Sequence, residues 1–135
     1  MIVQPVPPQF AQRVWPQVGP MLSAALAHSA GEYTVEQLKA LVVYGQQTLL
    51  VALDDKNTIH GAATIALTAY PNMNIATITA LGGRGIINMD THTQLLDWCR
   101  EQGATHLRAS CRPSAARLFS RCGMQQRYIT MDKPL

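Results

Sequence analysis

The residues of this chain best suited to chemistry are glycines rather than acids or nucleophiles. Gly82-Gly83-Arg84-Gly85-Ile86 follows an apolar run, Ile75 to Leu81, and precedes a helical pattern that begins near Asn88. A strand that breaks into a glycine-rich loop and then opens a helix can seat a phosphate. The glycines let backbone N–H groups come close, and the helix start adds unpaired donors and partial positive charge. Arg84 would add a charge-assisted contact. The alternative is a tight strand–helix turn with no ligand.

Other polar residues have weaker claims. Glu32 and Tyr33 stand between two helical patterns, as a solvated acid and as a staple onto Leu38. His60 precedes Gly61 in an apolar strand and reads as a hydrogen-bonded histidine before it reads as a base. Tyr70 belongs to a hairpin and Ser114 to a helix start. His92 shares a face with Leu95, Leu96 and Cys99. No His, Cys or Asp cluster has metal-ligand spacing, so no metal is expected. Cys99, Cys111 and Cys122 are odd in number and about a dozen residues apart, which fits reduced thiols in a cytosolic protein.

These residues need a frame. Ile2 to Val6 reads as a strand. Phe10, Val14, Val18, Leu22 and Leu26 recur every four residues and predict a helix from Gln9 to about Ser29, kinked or divided at Pro16 and Pro20. Thr34-Val35-Glu36-Gln37 matches a capping box for a helix carrying Leu38, Leu41 and Val42. Thr48–Leu53 is a central strand, apolar on both faces. Asp54–Asn57 turns into a strand from Thr58 to about Thr68, and Tyr70–Asn74 turns into another from Ile75 to Leu81. A helix over Asn88–Gln102 and a strand over His106–Ser110 follow. Pro113 opens a helix with the stripe Ala115, Leu118, Phe119, Cys122, which Gly123 ends. Tyr128–Met131 is expected to be a last strand.

With 135 residues, 47% hydrophobic and 14% charged, the chain suits one packed domain over 1–135. No apolar run reaches the ~18 residues of a membrane span. The first residues lack a basic region before an apolar stretch, so no secretory signal is expected and the expected location is cytoplasmic. The net charge of +3 is unevenly placed. Between Trp98 and Tyr128 six arginines face one acid, Glu101. That bias points to an anionic partner or to solvated helices. Lysine is scarce there and no aromatic stripe interleaves the arginines, which favours a small anion over nucleic acid.

The order of elements resembles the GCN5-related N-acetyltransferase (GNAT) fold, an α/β mixed central sheet with helices on both faces. Arg112-Pro113-Ser114-Ala115-Ala116-Arg117-Leu118-Phe119-Ser120-Arg121-Cys122-Gly123-Met124 is similar to the family's late helix, commonly A-x-x-L-Y-x-x-x-G-F. The Gly82–Ile86 turn stands where the family places an R/Q-x-x-G-x-G/A loop. Gly31–Thr34, Tyr70-Pro71 and Gly82-Gly83 are similar to small bacteriophage GNAT-like proteins. The resemblance implies acetyl-CoA bound where the fourth and fifth strands splay apart. It assigns Thr79, Ala80 and Leu81 to the pantetheine edge and Gly83, Arg84, Gly85 and Ile86 to the pyrophosphate. The implied activity is transfer of acetyl to an unidentified small-molecule or protein amine, with Glu32, Tyr33, Tyr70 and Ser114 as candidate catalytic residues.

The chain departs from the family pattern where chemistry is concentrated. Phe119 replaces the late-helix tyrosine that often protonates the leaving thiolate, and Asn74–Leu81 holds no carboxylate or histidine. Gly82 stands for Arg or Gln at the loop's first position, and Ile87 for the small residue at its last, where a branched side chain would crowd a phosphate. A catalytically silent GNAT-fold module, bound to a protein partner or part of an assembly such as a phage virion, is therefore one rival expectation, and a nucleic-acid or host-factor binder using the arginine-rich third is another.

Overall fold

The computed structural model describes residues 1–135. Its elements are β1 (Ile2–Val6), α1 (Pro8–Leu26), α2 (Val35–Val43), β2 (Thr48–Leu53), β3 (Ile59–Ala69), β4 (Asn74–Gly83), α3 (Met89–Glu101), β5 (His106–Ala109) and α4 (Pro113–Arg121). The five strands form one sheet in sequence order. Neighbours run antiparallel except β4 and β5, which are parallel and joined through α3. The sheet is mixed, and helices cover both of its faces.

Alternation along the strands sorts the core into two layers. Leu49, Val51, Leu53, Ala62 and Ala80 pack with Ala11, Trp15, Val18 and Leu22 of α1 and Leu38 and Val42 of α2. Leu50, Ile65, Ala76 and Ile78 pack on the other side with Cys99 of α3 and Phe119 of α4. β2 feeds both layers, as a central strand must. Capping fixes where two helices begin. Thr34 Oγ1 accepts from Gln37 N at 3.1 Å while Gln37 Oε1 accepts from Thr34 N at 3.0 Å, the reciprocal box expected.

Four sequence expectations need correction. α1 is one continuous helix through Pro16 and Pro20, so it is not divided into two there. Both prolines lie on its exposed side, where carbonyls left without an N–H partner can bond water. Its buried side is Ala11, Trp15, Val18, Gly19 and Leu22, while Phe10 is exposed beneath the Arg13 guanidinium. Leu118 is likewise exposed, leaving Phe119 as the buried residue of α4. Finally, Tyr128–Met131 forms no strand: the chain after Gly123 is irregular, and Tyr128, Ile129 and Met131 face outward. A strand needs a ladder, and this segment pairs with none.

Three glycines let layers touch. A Cβ on Gly82 would fall on the carbonyl of Met21 in α1, and one on Gly83 would fall on the carbonyl of His60. A Cβ on Gly61 would meet the Ile86 side chain at 2.6 Å. Overpacking against atoms that can yield costs about 1–3 kcal/mol, and the Met21 carbonyl belongs to a helix that cannot. Gly82→Ala should therefore lower urea-unfolding stability by about 2–3 kcal/mol. Gly103→Ala, which meets nothing within 4 Å but sits at φ +86°, should cost about 1 kcal/mol. Equal losses would contradict the close approach of α1 to the sheet.

Candidate functional site

The site is built by β4, whose two edges are satisfied over different lengths. Toward β3 its ladder runs from Asn74 to Gly83. Toward β5 it runs only from Ile75 to Ile78, the last pair being Ile78 with Ala109. From Thr79 to Gly83 the β5-facing edge has no strand beside it. Gly82 and Gly83 thus belong to the strand, paired with Ala62 and Gly61, and the loop proper begins at Arg84.

A bulge marks the point of divergence. Thr64 pairs with Ala80 and Ile65 with Ile78, so Thr79 is an extra residue in β4. The side chains record the slip: Ala76 and Ile78 lie in the α3/α4 layer, whereas Ala80 lies in the α1/α2 layer. Bulges bend a strand and increase its twist, which carries β4 away from β5. The bulge is held by polar contacts. Thr79 Oγ1 donates to Gln47 Oε1 at 2.6 Å and lies 2.7 Å from Thr64 Oγ1. Gln47 and Thr64 are both buried. Nothing in the strand's composition announces this; the only sequence trace is a pair of threonines and a glutamine among apolar residues.

At the end of β4 the chain makes a nest of donors. Gly83 has φ +119° and Gly85 φ +66°. None of the backbone N–H groups of Arg84, Gly85, Ile86 and Ile87 donates a hydrogen bond within the protein. Two of the loop's carbonyls are tied down from the helix side: Asn88 Nδ2 donates to Gly85 O at 3.0 Å, and Thr91 Oγ1 donates to Ile86 O. Successive free N–H groups in a turn are the donors that an anion-binding concavity requires. Arg84 is exposed and in no ion pair.

The side chains of Ile86 and Ile87 turn away from this nest. Ile86 packs on Gly61 and both line an apolar cavity of about 50 Å³ beneath α3, with Leu81, Leu95 and Phe119. Ile87 therefore does not crowd the phosphate position. The helix start contributes less than expected. Asn88 caps α3, taking the Thr91 N–H at 3.0 Å, and Asp90 puts a carboxylate in the first turn. That charge suits the helix dipole but opposes a phosphate, so the free donors of this region are those of the loop rather than of the helix start.

The candidate catalytic residues do not converge. Glu32 and Tyr33 share a shallow hollow of about 420 Å³ with Gln37, Leu41, Tyr44 and Gln46 on the outer side of α2. Tyr70 sits in the hairpin before β4, at the end of that strand remote from the loop. Ser114 is exposed in the first turn of α4, just past the point where β5 leaves β4. Cys111, between them, is exposed, and burial nonetheless raises its thiol pKa, which withholds a thiolate. Cys99 is buried under α3 and pushed up to about 11 by desolvation. His60 Nε2 lies 2.7 Å from Asp54 Oδ2 on the β2–β3 hairpin. That bond, with the N–H groups of Thr58 and Lys56, lowers the Asp54 pKa. No group of three His, Cys, Asp or Glu could hold a metal ion, and no helix is long and apolar enough to cross a membrane.

His92 lines the apolar cavity, is buried, and is held below its ordinary pKa by desolvation. The unfolded chain then takes up this proton before the folded one does. Stability is full above about pH 6.5 and declines as pH falls below it, by up to about 1.4 kcal/mol per pH unit. His92→Leu should flatten the fall in Tm between pH 7.5 and 5 relative to the wild type. Parallel Tm profiles would mean that His92 protonates as freely folded as unfolded.

No protein-family model matches the chain, and no curated protein matches its sequence. Solved structures match along its whole length. A tetramutant of the BH1408 protein of Bacillus halodurans has a TM-score of 0.66 at 18% identity, covering 100% of both chains. Glucosamine-6-phosphate N-acetyltransferase of Arabidopsis thaliana gives 0.65 at 15% identity, over 98% of this chain and 97% of that one. An aminoglycoside acetyltransferase, meta-AAC0020, from an uncultured soil metagenomic sample and in complex with sisomicin, gives 0.72 at 16% identity, over 99% and 95%. At such identities the likeness is one of fold: this chain has the GNAT acetyltransferase fold.

Proposed function

We propose that the chain is an acetyl-CoA-dependent N-acetyltransferase acting on an amine-bearing acceptor. The observation that carries this reading is the run of four free N–H groups from Arg84 to Ile87, set at the end of a strand edge that lacks a neighbour. A diphosphate satisfies such a nest, and an amide-bearing arm satisfies such an edge. Arg84 to Ile87 would hold the diphosphate and Thr79 to Leu81 the pantetheine amides. Bound there, acetyl-CoA would supply an activated thioester carbonyl.

The chain's own part is largely positioning. Holding two reactants in register is worth roughly 7–11 kcal/mol of barrier, while general acid–base help adds about 10²–10⁴ in rate. With Phe119 buried on α4 and no acid or histidine on β4, the second contribution is the one forgone. The acceptor would have to arrive as the neutral amine.

Phe119 also favours a second reading, a module of this fold that binds CoA or a protein partner without turnover. A CoA-binding module would share the nest and differ only in acetyl transfer, whereas a protein-binding module would show no CoA response.

Gly85 offers a clean test of the nest, because a Cβ there meets nothing within 4 Å and its φ of +66° is one that Asn and Asp tolerate. In a thermal-shift titration, acetyl-CoA should raise Tm in proportion to the logarithm of its concentration above Kd. Gly85→Asn should keep that response, and Gly85→Asp should weaken binding by at least tenfold through repulsion of the diphosphate. No shift at millimolar acetyl-CoA in the wild type would remove the reading.

A further inference from the structure

Charge in this molecule is segregated. Residues 102–131 hold five arginines and no acid, a formal +5, while the other 105 residues sum to −2. All five, Arg108, Arg112, Arg117, Arg121 and Arg127, are exposed, and none is in an ion pair; the chain's one arginine–carboxylate bridge is Arg100 with Asp97. A face meant only to keep the protein in solution gains nothing from excluding acids over thirty residues.

The fold arranges these residues as a belt around one edge of the sheet. β5 is the edge strand, with Leu107 and Ala109 turned to the α3/α4 layer and His106 and Arg108 turned to solvent. Arg117 and Arg121 are four residues apart on α4, hence on one side of that helix. The irregular tail returns across β5, where Arg108 Nη2 donates to Tyr128 Oη at 3.0 Å. This contact places an aromatic ring beside Arg108, with Arg127 next to it in the chain. Tyr128 is 71% exposed, so its hydroxyl is anchored while the ring remains accessible. The sequence shows no aromatic stripe among the arginines, and Phe119 is buried; the tail brings an exposed ring to Arg108 from twenty residues away.

We infer that this belt binds single-stranded nucleic acid. Arginines track a phosphodiester backbone, and an anchored, exposed ring offers a base a stacking surface without reading its identity. A strand that bends can follow a belt that passes from β5 to α4, which a stiff duplex cannot. None of these arginines lies in the Arg84–Ile87 nest, and the binding is independent of acetyl transfer.

The test is fluorescence anisotropy of the full chain with a labelled 20-nucleotide single strand at rising salt. Binding should be saturable, and log K should fall against log salt with a slope of about −2 to −3.5, from about −0.7 per phosphate neutralised on a single strand. Arg117→Gln/Arg121→Gln should reduce the magnitude of that slope by about 1.4. Tyr128→Ala should weaken binding about tenfold at constant slope, and Tyr128→Phe should retain most of it. Arg13→Gln/Lys39→Gln, away from the belt, should change nothing. All these side chains are at least partly exposed, and circular dichroism confirms that each variant is folded. A flat salt dependence, or belt variants that bind as the wild type does, would overturn the inference. So would full displacement of the strand by millimolar CoA, which would give the arginines to the cofactor. Displacement by polyglutamate at equal charge would overturn it in favour of an acidic protein partner.

Discussion

The structure depends on an inequality between the two ladders of β4. β3 holds that strand to its last residue, Gly83, while β5 leaves it after Ile78. Had β5 continued, the edge from Thr79 onward would be satisfied within the protein and the loop after it would be a turn with nothing to bind. The Thr79 bulge enforces the divergence, and Gln47 and Thr64 enforce the bulge. Buried hydroxyl and amide groups are costly unless bonded, so this trio fixes one register and disfavours the slipped one.

The same strand sets how closely the layers approach. Gly82 lies against the Met21 carbonyl of α1 and Gly83 against the His60 carbonyl of β3. Side chains at either position would push the end of β4 outward, together with the loop it carries. Ile86 completes the arrangement by filling the space over Gly61, so the loop is anchored by an apolar side chain and presents its backbone outward. The function we propose needs no exceptional residue; it needs polar main-chain groups left without partners where a ligand can reach them.

Much of this frame was legible in the sequence because it rests on local rules. The Thr34–Gln37 box, the apolar run of β2, Pro113 at the start of α4 and Gly123 at its end are written in nearest-neighbour chemistry. The misreadings concern long-range packing. A period of four chose Phe10 over Ala11 and Trp15 for the buried side of α1, because periodicity does not say which of two adjacent stripes meets the sheet. Tyr128–Met131 has strand-forming residues but no partner edge, and propensity alone makes no ladder. The Gly82-Gly83 pair looked like loop because glycine so often is; here it extends the strand where neighbouring backbone leaves no room for a Cβ. The backbone freedom of Gly83 and Gly85 is a local property legible in the sequence, whereas the bulge that opens the strand edge is not, since an extra residue in a ladder is a property of two strands together.

The four N–H groups from Arg84 to Ile87 can be observed one by one by solution NMR. In ¹H–¹⁵N spectra of the full chain titrated with CoA, the amide protons of Arg84, Gly85, Ile86 and Ile87 should move downfield together and saturate at one Kd. Those of the β3–β4 ladder should stay in place. Loop amides that stay unmoved while CoA binds elsewhere, or that are already protected from exchange in the free protein, would contradict the proposed diphosphate seat.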